Sequence, residues 1–249
     1  VDVIRQHSSP KRRQGTAGYP AGDDARQRLL SVASEVFAER GFEAASTREI
    51  ARRADMRSPA LTYYFGDKLG LYLACVDVVT NRIGRRIDPL LCEMNTAIEQ
   101  GADTPALIDL YCRLQDSLLD SFFARGEGDA VKELIWNVRF EIPEATDMMN
   151  ERVSVPIHKV SADIIRRVIG APDNDIAVAL HVTAVAGTYM NFYLNKRPIA
   201  QLLQWDMEQP ERGERIKDVA RHAATCLLRG LAERAGTWPD GSGSKVRPG

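Results

Sequence analysis

The chain is short of the features that would make it an obvious enzyme. It has no Gly-rich phosphate loop, no His-Glu metal motif and no nucleophile elbow, so the common catalytic signatures are missing. Its four cysteines, Cys75, Cys92, Cys112 and Cys226, lie far apart without a C-x-x-C, and no two histidines stand at ligand spacing. Two readings of the cysteines stay open: buried free thiols in a reducing compartment, or a redox or mercurial sensor. No metal or cofactor is implied, and the chain is not expected to be an enzyme. Charge of either sign is not in excess either, with 33 Lys/Arg against 34 Asp/Glu, so nothing global advertises a polyanionic partner. The balance is uneven along the chain, however: residues 1–72 hold 12 basic and 9 acidic residues, and the remainder 21 and 25. An apolar signal-peptide core is missing at the N-terminus, so a cytoplasmic protein is expected. Strand-like alternation longer than four residues is absent, as is any internal repeat.

What is present is helical pattern. At 249 residues and 44% hydrophobic, the chain can bury a sizeable core in one or two domains. The densest signal is the stretch Ser46 to Lys68, STREIARRADMRSPALTYYFGDK. Ser46 followed by Glu49 has the form of a capping box, so a helix should start near Thr47. Ile50, Ala51 and Ala54 share one face, and Arg48 and Arg52 point away from it. Asp55 and Met56 form a break. Arg57 or Ser58 caps a second short helix in which Pro59 suits the first turn. Leu61 and Phe65 face inward there, while Pro59 and Tyr63 point outward, with Thr62 and Ala60 on the flanks. Two brief amphipathic helices joined by a tight turn make a helix-turn-helix, whose second helix is suited to a DNA major groove.

The run Thr47–Ala54, then Ala60-Leu61-Thr62-Tyr63-Tyr64-Phe65, Lys68 and Leu71, resembles the DNA-binding segment of TetR/AcrR-type transcriptional regulators. The resemblance covers about Arg26 to Leu73. It implies that Tyr63, Tyr64 and Lys68 grip phosphates and that Arg57, Ser58, Pro59 and Thr62 approach base edges, with Thr47 and Arg48 completing the DNA-binding set. Asp55 departs from the Gly usual in that family, and Arg57 from the frequent Ser or Asn cap. Aspartate tolerates a left-handed conformation, so the turn should survive. Arg57 is free to touch a base or a phosphate instead.

Around this segment the chain divides into residues 1–22, a flexible basic arm; 23–70, the helix-turn-helix domain; 71–235, a helical effector and dimerisation domain; and 236–249, a flexible tail. In the arm, Lys11-Arg12-Arg13 either enters a minor groove or belongs to a solvated tail. Asp23 or Asp24 should cap a helix with the stripe Leu29, Leu30, Ala33, Val36 and Phe37, ending at a left-handed Gly41. Phe37, Ile50, Leu61 and Phe65 would then centre a tri-helical core. A further helix should run from Lys68 to about Arg86, acting as a lever whose first turn, with Lys68, faces a phosphate. Pro89 and later Gly/Pro positions punctuate the rest. Pro156 requires either a bend or a helix restart at Val155.

Glu151-x-Val153-x-x-Pro156-x-His158, then Leu180-His181 and Gly187 through Lys196, look like the effector domain of the CecR (YbiH) branch of the TetR family. This second resemblance implies an all-α dimerisation and ligand domain. By that analogy a small-molecule effector of unknown identity sits among Tyr111, Trp136, Arg139, His158 and His181. The bland reading makes each histidine a core or interface residue and Arg139 an ion-pair partner. Ile176–Leu194 is uncharged over 19 residues, long enough to cross a bilayer. His181, Thr183, Thr188 and Asn191 argue instead for a helix buried between its own domain and a second subunit. The last helix, about Arg212 to Glu233, has the stripe Ile216, Ala220, Ala223, Leu227 and Leu231. A homodimer through helices near 173–195 and 212–233 would pack as a four-helix bundle. The expected protein is thus all-α: a repressor released by its ligand from a palindromic DNA operator. An activator, or a regulator without a ligand, is the alternative.

Overall fold

A computed structural model describes residues 20–123, 142–170, 175–205 and 210–235, and these are helical throughout apart from short connections. The N-terminal head comprises α1 (Pro20–Ala44), α2 (Thr47–Arg53) and α3 (Ser58–Phe65). The body comprises α4 (Lys68–Glu99), α5 (Thr104–Phe123), α6 (Pro143–Met149) with a π turn at Asn150–Ser154, α7 (Val155–Ile169), α8 (Asp175–Leu194), α9 (Lys196–Leu203) and α10 (Pro210–Glu233).

The head forms because three apolar stripes close on one another. Leu29, Ala33, Val36 and Phe37 of α1, Ile50 of α2 and Leu61 of α3 are all buried. Tyr72 from α4 completes the core, meeting Phe37 and Phe42 edge-on at 4.9 and 5.1 Å between ring centroids. Phe65, expected at the centre, is half-buried and carries the Arg26 guanidinium 5.3 Å above its ring. Helix α1 starts at Pro20, a turn earlier than the aspartate caps suggested, and breaks at Gly41 with φ 72° and ψ 175°. The positive φ is as expected, but the extended ψ replaces a left-handed helical ending. The Ser46 side chain makes no capping bond. Glu49 is drawn instead to Arg40 at 2.8 Å and Arg53 at 2.9 Å, because ionic partners outcompete a single backbone N–H.

Helix α4 does not stop near Arg86 but continues through Pro89 to Glu99. Pro89, Arg85 and Arg86 are exposed, so the hydrogen bond that proline omits lies on the wet side. Ile87, Leu91 and Met94 keep the other side buried. Neither a break nor a restart occurs at Pro156: the backbone stays helical at Met149, Asn150, Ser154 and Val155, and the proline is accommodated just after a π turn in which Val155 N–H donates to Asn150 O.

The body is lashed by α5 and α10. Lys217 Nζ holds Asp120 at 2.8 Å, Arg86 reaches the same carboxylate at 3.3 Å, and Arg221 pairs with Asp116. The buried Gln115 amide donates to Val185 O and Thr188 Oγ1 at 3.3 and 3.1 Å, tying α5 to α8. On α10 the buried stripe is Ile216, Ala220, Ala224, Leu228 and Leu231. Ala223 and Leu227, expected inside, lie outward and half-buried respectively, since steps of four from Ala220 keep the stripe facing α5. Cys75 and Cys112 are buried as expected of inert thiols, but Cys92 and Cys226 are exposed.

Helix α8 is long and apolar enough to cross a membrane by length and composition, with mean hydropathy 1.2 and only 28% of its most apolar stretch buried. Val178, Val182, Val185, Tyr189 and Tyr193 face the body. The opposite stripe, with Ile176 77% and Leu180 66% exposed, is bare in a single chain. On α10, Val219 is 57% exposed, and Ala223 and Cys226 continue its outer line.

Candidate nucleic-acid interface

The connection between α2 and α3 determines how α3 is presented. Ala54 ends α2, and Asp55 takes φ 54°. Met56 N–H then bonds Ala51 O at 2.8 Å and Asp55 N–H bonds Arg52 O at 3.2 Å. This crossed pair is a Schellman ending, which needs one left-handed residue, and aspartate supplies it here. Arg53 fixes α2 to α1 by a two-pronged contact with Glu39 at 3.2 and 3.0 Å. That contact holds the Glu39 carboxyl below its ordinary range and raises the Arg53 guanidinium, the side-chain hydrogen bond being the main cause in both.

Helix α3 rests on Leu61 and turns Arg57, Ser58, Pro59, Thr62 and Tyr63 to solvent. Tyr63 is 82% exposed, and its ring meets Tyr64 edge-on at 5.0 Å. Tyr64 is half-buried, leaning toward the start of α1. Arg48 is exposed and Thr47 half-buried at the start of α2. Lys68 is placed differently from a freely projecting phosphate ligand. Its Nζ donates to Glu43 O at 3.0 Å and lies 4.5 Å above the Phe42 ring. The first turn of α4 is also occupied: the Asp67 carboxylate accepts from Gly70 N–H at 2.7 Å, where a phosphate was anticipated.

Gly70 is a residue that pattern reading missed. A Cβ there would lie 2.1 Å from Phe65 O, so only glycine lets the end of α3 meet the first turn of α4. The available signal was a glycine one turn inside an otherwise good helix, a recognised mark of close packing.

Of the residues proposed for an effector, Trp136 and Arg139 lie outside the described residues, as do residues 1–19 of the expected basic arm, whose last three residues, Pro20–Gly22, belong to α1. The remaining three lie on different helices: Tyr111 on α5, His158 on α7 and His181 on α8. Tyr111 is buried, and burial pushes its phenol above the ordinary range. His181 is half-buried on α8, where burial and then Arg234 lower its pKa. His158 lines a cavity of about 320 Å³ between α4, α5, the π turn, α7 and α8. Ile83, Leu118, Val153, Ile157 and Met190 contribute its apolar wall. Among the described residues there is no group of three or more His, Cys, Asp or Glu able to hold a metal ion.

A tri-helical head with an exposed helix-turn-helix, joined by one long helix to a helical body, defines a class: DNA-binding transcriptional regulators. Two family profiles match the chain: that of bacterial regulatory proteins of the tetR family over residues 29–75, and the C-terminal domain of the HTH-type transcriptional dual regulator CecR over residues 108–231. The chain belongs to the TetR family and resembles CecR in its body. It is 28% identical to the dual regulator CecR of Shigella flexneri, covering 86% of this chain and 96% of that protein. The transcriptional activator FasR of Mycolicibacterium smegmatis is 40% identical over 81 residues, 32% of this chain and 34% of FasR. A TetR-family regulator structure from Mesorhizobium loti shares the fold at TM-score 0.55 and 14% identity, covering 84% of this chain and 98% of that one.

Proposed function

We propose that the chain acts in the cytoplasm as a homodimeric repressor that reads both halves of a palindromic operator and is released by a small molecule bound in its body. The observation carrying this reading is the pairing of two exposed surfaces: the polar outer face of α3, and the bare apolar stripe of α8 beside α10. One short helix reads few base pairs, at about 1–3 kcal/mol of discrimination per good contact. A two-fold pair reads twice as many and matches a palindrome. Covering the α8 and α10 stripes with a second copy brings two α3 helices into one particle.

Within each subunit α4 joins the two functions, its N-terminus under α3 and Ile83 in the cavity wall. At 1.5 Å per residue these points are about 22 Å apart along one helix. A ligand that tilts α4 changes the separation of the two α3 helices, and operator affinity falls because both halves no longer dock together. By linkage, operator must weaken ligand binding by the same factor.

The test is selection of duplexes from random DNA by the purified full chain, followed by footprinting at two salt concentrations. A protected palindrome with steep salt dependence supports the dimeric reader. Protection without two-fold symmetry, or no selection at low salt, overturns it. An activator is the second reading, favoured by the names of the relatives, a dual regulator and an activator. Transcription in vitro from a promoter carrying the selected site decides the sign.

A further inference from the structure

We infer that His222 and Cys226 of α10 form half of a zinc site, which a second copy of the chain completes with the same two residues. This rests on the homodimeric reading above and adds to it a metal ion held between the subunits.

The pair follows from helical spacing. Residues four apart on a helix stand one above the other on the same face. His222 and Cys226 are both exposed, and Cys226 Sγ lies 3.6 Å from His222 Nε2. That separation is the bite of a chelate. With bonds of about 2.3 Å to sulfur and about 2.0–2.1 Å to nitrogen, a tetrahedral zinc holds two such donors about 3.5–3.6 Å apart. Both side chains therefore already stand where the ion needs them. Among the described residues neither has another hydrogen-bond or ionic partner, so only their mutual contact gives way to the metal. Thiolate and imidazole are also the donor types that zinc prefers.

One chain is not enough. A structural zinc takes four ligands, and among the described residues of one chain no group of three or more His, Cys, Asp or Glu can hold a metal. The missing two lie on the second copy. Counting about 100° per residue, Cys226 falls between Val219 and His222 on the surface of α10, with Ala223 on the far side of Val219. Val219 is 57% exposed, and this outer line stands beside the bare Ile176 and Leu180 stripe of α8. A two-fold axis that covers those stripes sets α10 against its symmetry mate, and helix bundles build metal sites from side chains on facing helices. Two thiolates and two neutral imidazoles cancel one Zn²⁺ with no charge left over, so the filled site can be enclosed among apolar side chains. Each thiol gives its proton to solvent as its Zn–S bond forms, two protons for each ion.

The experiment uses the full chain, reduced and freed of metal by a chelator, with zinc chloride as the probe. Titration calorimetry should count about one zinc for two chains. A dilution series in sedimentation velocity should show the dimer dissociation constant falling at least about tenfold when zinc is present. Co²⁺ in place of zinc should give the visible bands of a tetrahedral ion together with a thiolate charge-transfer band. Cys226→Ser and His222→Gln should each lose the bound ion and the tightening, with the helicity and dimerisation of the metal-free chain unchanged. If one of them misfolds, the other carries the test. Cys92→Ser, which removes the other exposed thiol, should bind zinc as wild type does. No zinc bound, one zinc for each chain, binding that survives in both variants, or a metal-free dimer indifferent to zinc overturns the site and leaves the homodimeric reading standing. A chain that stays monomeric at every concentration, with zinc or without, overturns the homodimeric reading and the shared site with it.

Discussion

Asp55 shows what one residue can be asked to do. A left-handed φ of 54° costs an aspartate more than a glycine, yet the two crossed hydrogen bonds of the turn hold it there. Asp55→Gly should therefore raise stability by about 0.5–1 kcal/mol in urea melts, with the preferred DNA sequence unchanged. Thr62→Ala should alter which bases are tolerated in a selection, whereas Tyr63→Phe should weaken all duplexes alike. Lys68→Ala should reduce the salt slope by about one if Nζ leaves Glu43 O for a phosphate, and leave it unchanged if it does not. At this scale the outward face of α3 was legible, because a 100° step and one buried leucine fix it. Gly70 was not, since its constraint comes from Phe65 O, a contact that no local pattern encodes. Gly70→Ala should cost about 1–3 kcal/mol, measured by the same melts.

Whole elements were legible where periodicity was strong and misread where proline seemed decisive. Pro89 looked like punctuation, but its exposed position lets α4 run on, because the omitted bond faces water while Ile87 and Leu91 stay packed. Pro89→Ala should stabilise the protein by about 1–2 kcal/mol, read as a rise in the thermal midpoint. The stripe of α10 was read correctly at Ile216, Ala220 and Leu231 but slipped by one position at Ala223 and Leu227. Ala223 and Ala224 are chemically identical, so composition could not choose between them; the facing surface of α5 does. The effector residues were the least legible. Tyr111, His158 and His181 were chosen as polar or aromatic groups in apolar helices, and such groups serve cores and surfaces as readily as cavities. Only tertiary packing shows that His158 reaches the cavity, and that Ile83 and Val153, unremarkable in sequence, form its wall.

For the molecule as a whole, the uncharged run of 19 residues reads as a helix buried between its own domain and a second subunit. The body covers one side, and the stripe through Ile176 and Leu180 is left over. Leu180→Glu should give a monomer in sedimentation velocity with unchanged helicity, and should abolish footprinting of the palindrome. The thiols provide a second measurement. Burial holds Cys75 at about 12 and raises Cys112, so neither should be alkylated by iodoacetamide at pH 8. Cys92 should react readily. Cys226 lies on the outer line of α10, so it should react slowly in wild type and quickly in Leu180→Glu, with mass spectrometry reporting each site.

That bare stripe has a consequence for regulation in a growing cell. If dimer formation and operator binding are linked, newly made subunits must first find one another, and at low copy number occupancy of the operator rises with the square of protein concentration. Dilution at each division then weakens control more than proportionately. A promoter governed by such a protein would respond sharply to a twofold change in its synthesis, even before any effector arrives.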